Sequence, residues 1–201
     1  MTMVNRNPDK TRGALLDAAF VEINQHGFQA ASLNNILNAT NVTKGALYHH
    51  FPSKMKLGYA VVDEQIKTAV EERWVTPLVN NDDVISAILS VIDDSINCHD
   101  DDNICLGCPL NNLAQEMSPI DEGFRERISG IFELWRNAIA DALKRGQANG
   151  SVKQSISAEA TAYFIVAAIE GAVSLAKNAK SIDVLKTSLL GLKEHIESLR
   201  T

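Results

Sequence analysis

Residues 42–54 read VTKGALYHHFPSK, and this stretch predicts a short helix between two turns. Thr43 is a preferred N-cap residue, and Pro52 ends the helix because the residue before a proline disfavours α geometry. Leu47 and Phe51 are four residues apart, so both lie on one side of the helix and pack inward. The opposite side carries a glycine and several hydrogen-bonding side chains, which predicts a helix that presents polar groups to a partner.

A second short helix is predicted immediately upstream. Ser32 stands at an N-cap position, and the apolar residues that follow it share one face: Leu33, Ile36 and Leu37. Asn41 can adopt the left-handed conformation of a tight turn. Residues 10–26 predict a longer first helix that ends at Gly27. Two short helices joined by a tight turn, the second with exposed polar tips, are typical of helix-turn-helix DNA readers.

Basic side chains are concentrated at the front of an acidic chain. The 201 residues carry a formal net charge of −6, and 45% of them are hydrophobic and 22% charged, as in ordinary soluble globular proteins. Residues 1–57 nevertheless hold six Lys and Arg against three Asp and Glu, a net charge of +3. A basic segment in an acidic chain predicts that the front contacts a polyanion while the remainder has another role.

The 3.6-residue hydrophobic period continues through the rest of the chain, and strand-like alternation is nearly absent. Proline, glycine and asparagine mark the breaks between periodic segments. The sequence therefore predicts an all-α chain of about nine helices. Six of them follow the first three, at residues 54–79, 82–97, 106–117, 120–149, 158–178 and 182–199.

Two motifs in the first quarter of the chain resemble the DNA-binding domain of the TetR family of bacterial regulators. One is KGALYHHF at residues 44–51, followed by a turn and SKMKL at residues 53–57; the other is GFQAASLNNI at residues 27–36. Asn41 stands where glycine is common in the family, which leaves the turn intact. The resemblance implies an N-terminal three-helix helix-turn-helix domain over residues 1–53. A larger helical domain for effector binding and dimerisation would follow over residues 54–201.

The resemblance also implies which residues lie at the DNA surface. Ser32 is expected to contact a phosphate, and the other expected DNA-binding residues are Thr43, Lys44, Gly45, Tyr48, His49, His50 and Lys54. Lysines can neutralise phosphates, whereas tyrosine and histidine can bond phosphate oxygens or base edges. The alternative, on spacing alone, is a small helical bundle whose paired histidines are merely exposed to solvent.

The stretch AYFIVAAIEGAVSLA, residues 162–176, is apolar on almost every face, which predicts a helix buried on all sides. The resemblance implies that it packs, with the helix after it, against a second subunit. The expected dimer-interface residues are Ala167, Ala168, Gly171, Ala172, Leu189, Leu192 and Ile196. The alternative is that both helices are simply core. Glu170 interrupts the apolar surface, and either a nearby donor satisfies it or it anchors a ligand.

The three cysteines, Cys98, Cys105 and Cys108, lie close together in the sequence. A single C-x2-C without a second matched pair is a weak zinc signal, so neither a metal nor a cofactor is expected. Cys108 opens a predicted helix, whose N-terminus lowers the pKa of a thiol. Its segment also resembles the region through which some TetR relatives respond to electrophiles, which would make it a redox sensor. The aspartates at residues 100–102 oppose this role by raising the thiol pKa, and plain packing is the alternative.

The sequence patterns of common enzymes are missing: there is no G-x-S-x-G, no glycine-rich phosphate loop and no HExxH. A secretory signal and an apolar run of about 20 residues are missing too, so a cytoplasmic location without membrane contact is expected. The sequence thus predicts a non-enzymatic, ligand-responsive homodimer that binds double-stranded operator DNA and regulates transcription. It would be a repressor released by a small molecule or electrophile. The alternative is a thiol-redox or zinc-binding helical protein that uses the three cysteines.

Overall fold

The computed structural model describes residues 8–79 and 81–201, and this part of the chain is built of helices. Its β-structure amounts to one isolated pairing between Val152 and Arg200. The predicted all-α fold class is confirmed. The α-helices are α1 (Pro8–His26), α2 (Leu33–Thr40), α3 (Lys44–His50), α4 (Lys54–Ala60), α5 (Lys67–Val70), α6 (Val84–Asn97), α7 (Pro109–Met117), α8 (Glu122–Asn149), α9 (Ala158–Ala179) and α10 (Ile182–Glu197).

Side-chain caps start the three short helices α2, α3 and α4, as their sequences predict. The Ser32 hydroxyl accepts the backbone N–H of residue 35 at 3.4 Å, Thr43 that of residue 46 at 3.3 Å, and Ser53 that of residue 56 at 3.1 Å. Each cap satisfies one of the N–H groups that a helix start leaves unpaired. Asn41 ends α2 in the left-handed conformation, with φ 53°. The tight turn between α2 and α3 therefore follows directly from local sequence.

The long helix predicted over residues 54–79 is not a uniform α-helix. After α4 the chain forms a π-helical segment, Val61–Ile66, then α5, a second π-helical segment, Glu71–Val75, and a 3-10 turn, Thr76–Leu78. The buried side chains of this stretch recur every four residues: Val62, Ile66, Val70, Trp74 and Leu78. A spacing of four exceeds the 3.6-residue α period, and the wider π turns keep these residues on one face.

Contacts divide the described chain into two compact units. The first unit holds α1 to α4 with the end of α7 and the start of α8, residues 8–68 and 112–128. The second unit holds the remaining described residues. The first unit is therefore larger than the helix-turn-helix domain predicted over residues 1–53.

Aromatic packing explains why residues 112–128 belong to the first unit. The buried ring of Phe124 meets Phe28 edge-on at a centroid distance of 4.7 Å and Tyr59 at 5.0 Å. The Tyr59 hydroxyl donates to the Asp121 carboxylate at 2.8 Å, and the same carboxylate accepts the backbone N–H of Phe124 at the start of α8. These contacts join the segment to α4 and to the turn after α1, both far away in the sequence.

In the second unit α9 packs along α10, and α10 also packs against α6. Trp74 and Trp135 stack in its core with their ring centroids 4.6 Å apart. By length and composition alone, α9 is apolar enough to cross a membrane. One of its sides, however, is buried against the rest of the chain: Ala162, Ile165, Ile169, Ala172, Val173 and Ala176.

Candidate nucleic-acid interface

Helix α3 is anchored on one side and open on the other. Leu47 and Phe51 are buried, with 0% and 2% of their surface exposed. The polar residues predicted to face outward do so: Thr43, Lys44, Gly45, Tyr48 and His49 are exposed, and His50 is half-buried. The sequence pattern therefore predicted the correct orientation of this helix.

Gly45 lies in the middle of the open side. A Cβ atom added there would meet no other part of the described structure within 4 Å, apart from its chain neighbours and its own helix. Packing within the chain therefore does not explain the glycine. What the glycine does provide is a stretch of bare backbone on the exposed face, which a partner can approach closely.

The two lysines of the predicted interface differ in their surroundings. The Lys44 ammonium lies 6.0 Å from the centroid of the Tyr48 ring, a weak cation–π contact that leaves its charge toward solvent. The Lys54 ammonium instead donates to the backbone carbonyl of Gln29 at 3.0 Å and lies 5.1 Å from the centroid of the Phe28 ring. Lys54 thus holds the turn after α1, and Lys44 is the better placed of the two to meet a phosphate.

Ser32 is fixed at the start of α2 by a carboxylate that sequence reasoning missed. Its backbone N–H donates to Glu22 Oε1 at 2.8 Å, and the Asn35 side-chain amide donates to the same oxygen at 3.0 Å. Glu22 lies on α1 and is 8% exposed. The sequence did offer one sign of this role: Glu22 is an acid directly before the apolar Ile23, in a helix that packs inward. The Ser32 hydroxyl accepts in the cap, and its own O–H remains a possible donor.

Arg12 is a second residue that the sequence did not single out. Its guanidinium forms two hydrogen bonds of 2.6 Å with the Glu64 carboxylate and lies 5.1 Å from the centroid of the Phe51 ring. These hydrogen bonds raise the pKa of Arg12 and lower the pKa of Glu64. The ion pair joins α1 to the first π-helical segment, between residues 52 positions apart, and the ring contact joins α1 to Phe51 at the end of α3. No local pattern reveals such a pair.

Cys108 lies in the second unit beside a buried carboxyl group. Burial is the main reason why the pKa of its thiol is raised, and the nearby charge of Glu170 adds to the effect. The backbone N–H groups of Leu110 and Asn111, at the start of α7, act in the opposite direction but are weaker. The expected lowering of this pKa by the helix N-terminus is therefore not found. The acid that opposes ionisation is Glu170 rather than the aspartates at residues 100–102.

Glu170 is the buried carboxyl group of α9. Desolvation raises its pKa to about 7, although hydrogen bonds from Cys108 and Asn111 act against the shift. The sequence predicted that a nearby donor could satisfy Glu170, and Cys108 and Asn111 are such donors. Its Oε2 and the indole nitrogen of Trp135 are buried atoms for which the described part of the chain offers no hydrogen-bond partner. One is an acceptor and the other a donor, so the second unit holds polar groups that a bound molecule could satisfy.

The other two cysteines make local contacts. The exposed Cys98 thiol donates to the Ser95 carbonyl at 3.1 Å, and the Cys105 thiol donates to the Asp102 carbonyl at 2.8 Å. All three cysteines are free thiols. Within residues 8–79 and 81–201, no three His, Cys, Asp or Glu side chains lie together as metal ligands would. The zinc or redox alternative has no structural support in these residues.

The predicted dimer-interface residues divide into two groups. Ala167 and Gly171 are exposed and Ala168 is half-buried. The others are buried within one copy of the chain: Ala172, Leu189, Leu192 and Ile196. For these four, contact with a second copy stays a prediction, and their burial within one copy does not favour it.

A different set of apolar side chains is exposed on the same two helices. Tyr163, Ala167, Gly171 and Leu175 recur every four residues of α9, and both large members are open to solvent, Tyr163 at 62% and Leu175 at 60%. Phe164, 49% exposed, and Leu190 of α10, 56% exposed, extend the set. We call these six residues the α9 strip. The all-apolar sequence of α9 could not show which side was free.

Comparison with known proteins gives consistent matches along the chain. Residues 15–60 match the family described as bacterial regulatory proteins, tetR family, and residues 84–188 match the C-terminal domain described as transcriptional regulator LmrA/YxaF-like. An uncharacterized HTH-type transcriptional regulator in the lacX 3'region of Lactococcus lactis subsp. lactis is 29% identical over 96% of both chains. The HTH-type transcriptional repressor DhaR of Mycobacterium sp. (strain GP1) is 25% identical, over 81% of this chain and 82% of its own.

A solved structure agrees with these matches. The crystal structure of a TetR transcriptional regulator from Chloroflexus aurantiacus J-10-FL superposes with a TM-score of 0.84 and 27% identity, over 96% of this chain and 97% of its own. The similarity covers both units of the chain.

Glu170→Gln should change how stability depends on pH. The folded protein keeps the Glu170 proton up to about pH 7, whereas the unfolded chain loses it near pH 4.5. The free energy of unfolding therefore falls as pH rises through this window. The amide of the variant does not titrate. The free energy of unfolding of the variant should therefore rise by about 1–3 kcal/mol relative to that of wild type between about pH 5 and pH 8. Urea unfolding of both proteins at equal concentration measures this, and equal pH dependence would contradict the assignment.

Proposed function

Because the chain belongs to the TetR family of bacterial transcriptional regulators, we propose that two copies read an operator with paired α3 helices and that a small-molecule effector releases them. Membership follows from the matches over residues 15–60 and 84–188. As the sequence predicts, the protein is a DNA-binding transcriptional regulator of the repressor type. The operator contacts, the homodimer and the effector are the parts that we propose here.

The open side of α3 is the observation that carries the DNA-binding part of the proposal. Lys44 neutralises a phosphate, and Tyr48 and His49 reach base edges or phosphate oxygens in the major groove. Gly45 lets the helix backbone come close to the duplex. Ser32, Thr43, His50 and Lys54 flank this surface, and Lys54 does so while it holds the turn after α1.

The α9 strip supports the homodimer. Large apolar side chains such as Tyr163 and Leu175 are exposed together on one side of a helix, and contiguous exposed apolar surface marks interaction sites. A two-fold dimer buries the same strip of both copies, with Gly171 and Ala167 allowing the helices to approach. It also provides two α3 helices, which can enter successive major grooves when their separation matches one turn of DNA, about 34–36 Å.

The effector acts as a ligand with different affinities for two states of the dimer. It shifts the population away from the DNA-binding spacing by the difference between those affinities. Helices α7 and α8 each belong to both units of the chain, so they are the elements through which we propose that the signal passes. The unpaired Oε2 of Glu170 and indole nitrogen of Trp135 are the polar groups that we assign to effector binding.

A non-covalent effector fits the second unit better than an electrophile. Only the thiolate of a cysteine is a strong nucleophile, and burial beside Glu170 raises the pKa of Cys108. Cys108 as a redox sensor therefore stays a prediction that requires Glu170 to move or to be neutral. Reduced thiols and DNA binding both agree with action in the cytoplasm, which we propose as the location.

Gly45→Ala should separate folding from DNA binding. Alanine fits without a clash and favours the helix, so stability should stay equal or rise by up to about 1 kcal/mol. The added methyl group keeps the backbone away from the duplex, so affinity should fall about tenfold, a loss of about 1.4 kcal/mol. Gly130→Ala in α8 is the matched control, since it too has open space around it and should bind normally. Fluorescence anisotropy compares them, and equal affinity of both variants would exclude close approach at residue 45.

Leu175→Glu should produce monomers without unfolding the chain. Leu175 is 60% exposed in one copy, so the charge disturbs only a surface that a second copy would bury. Ile120→Glu, at a site 59% exposed in the first unit, is the control and should leave the mass unchanged. Light scattering at micromolar concentration measures the masses. A wild-type protein that is monomeric under these conditions, or a Leu175→Glu variant with the wild-type mass, would contradict the dimer.

A further inference from the structure

The turn between α1 and α2 is held by a carboxylate from α7. Glu116 Oε2 accepts the backbone N–H of Phe28 at 2.8 Å, and Oε1 accepts the backbone N–H of Gln29 at 2.8 Å. All four atoms belong to the first unit of the chain. A carboxylate that accepts two backbone N–H groups fixes both peptide planes, because charged hydrogen bonds are short and strong.

Gly27 adapts the turn to this carboxylate. It has φ 79°, a conformation that other residues rarely adopt. A Cβ atom at this position would also lie 2.9 Å from Glu116 Oε2, closer than such contacts allow. Glycine therefore serves two purposes here: it ends α1 and it admits the carboxylate to the N–H groups that follow.

The same turn is held from α4 and α8. The Lys54 ammonium donates to the Gln29 carbonyl at 3.0 Å, so residue 29 is bound at its N–H by an anion and at its C=O by a cation. The Phe28 ring packs edge-on against Phe124, and a Cβ atom at Gly58 would lie 2.4 Å from it. Little space is left for the turn to move.

This turn sets where the DNA-reading helices begin. Three residues after Gln29, Ser32 caps α2, and its N–H is held by Glu22 of α1. Helix α3 then follows α2 through the tight left-handed turn at Asn41. Both helices are short, at 8 and 7 residues, so their position depends on these anchors rather than on their own stability.

We infer that Glu116 is a positioning residue for operator recognition, which holds the α1–α2 turn so that α2 and α3 fit the DNA. The inference rests on the proposed reading of DNA by α3. The direction of the change in DNA affinity distinguishes a positioning role from a simple effect of charge. Removing an acid from a DNA-binding unit weakens repulsion of phosphates and by itself strengthens binding to any duplex. A positioning role predicts the opposite result, and only for the preferred sequence.

The test compares two variants at this site with a charge control. Glu116→Gln removes the charge and places an amide donor against backbone donors. Glu116→Asp keeps the charge but shortens the side chain, so that the carboxylate cannot reach both N–H groups. Glu126→Gln removes an exposed acid of α8 in the same unit. Each protein is titrated against two probes: the duplex that wild type selects from a random-sequence pool, and a shuffled duplex of equal composition. Thermal unfolding and the exchange of the Phe28 and Gln29 amides are measured alongside.

Both Glu116 variants should bind the selected duplex about tenfold more weakly and the shuffled duplex within about twofold of wild type. Their Phe28 and Gln29 amides should exchange faster, whereas Glu126→Gln should match wild type on the selected duplex. The inference is overturned if the Glu116 variants bind like Glu126→Gln, or if they lose both duplexes equally together with a lower unfolding temperature. If the Gln variant does not fold, the Asp variant decides alone. A wild-type protein that selects no duplex contradicts the proposed DNA reading itself, so the two failures can be told apart.

Discussion

Burial of Leu47 and Phe51 decides which side of α3 faces solvent, and the DNA recognition that we propose depends on that choice. A helix of seven residues is not stable alone in water, so its tertiary anchors must hold it. Each of these side chains contributes about 1.5–3 kcal/mol through burial. A rotation of the helix by one residue, about 100°, would move both of them toward solvent. Arg12, which lies over the Phe51 ring and pairs with Glu64, strengthens the same anchor.

Three carboxyl groups in or near the core differ in their hydrogen bonding, and this difference suits them to different roles. Glu22 and Glu116 accept backbone or amide N–H groups: Glu22 holds the start of α2, and Glu116 holds the turn before it. Glu170 has one oxygen without a partner in the described residues, and desolvation raises its pKa to about 7. Carboxylates that are fully paired are suited to positioning. Glu170 has an unmet hydrogen bond and a pKa of about 7, close to physiological pH. Such a carboxyl group is suited to responding to a ligand.

The sequence predicts what depends on near neighbours in the chain. The caps at Ser32, Thr43 and Ser53, the turn at Asn41 and the exposed side of α3 all follow from residues within one or two helical turns. The contacts of Glu116 with Phe28 and of Arg12 with Glu64 join residues 88 and 52 positions apart, and no helical period encodes them. Helix α9 shows a different limit. Because it is apolar all round, its sequence reveals burial but not which side packs against α10 and which side forms the α9 strip. The π-helical segments coincide with buried residues spaced four apart, and such a spacing is easily read as an ordinary helical stripe.

Selection of DNA from a random-sequence duplex pool by the wild-type protein tests the central claim most directly. A homodimer that reads DNA with paired α3 helices should enrich an inverted repeat. Its half-site centres should lie about 10–10.5 base pairs apart, or a multiple of that distance. The enriched sequences should also bind far more tightly than the unselected pool, typically by a factor of about 10³ or more. A pool that shows no enriched motif after repeated rounds, or only a single half-site without its inverted copy, would contradict recognition by a two-fold pair of α3 helices.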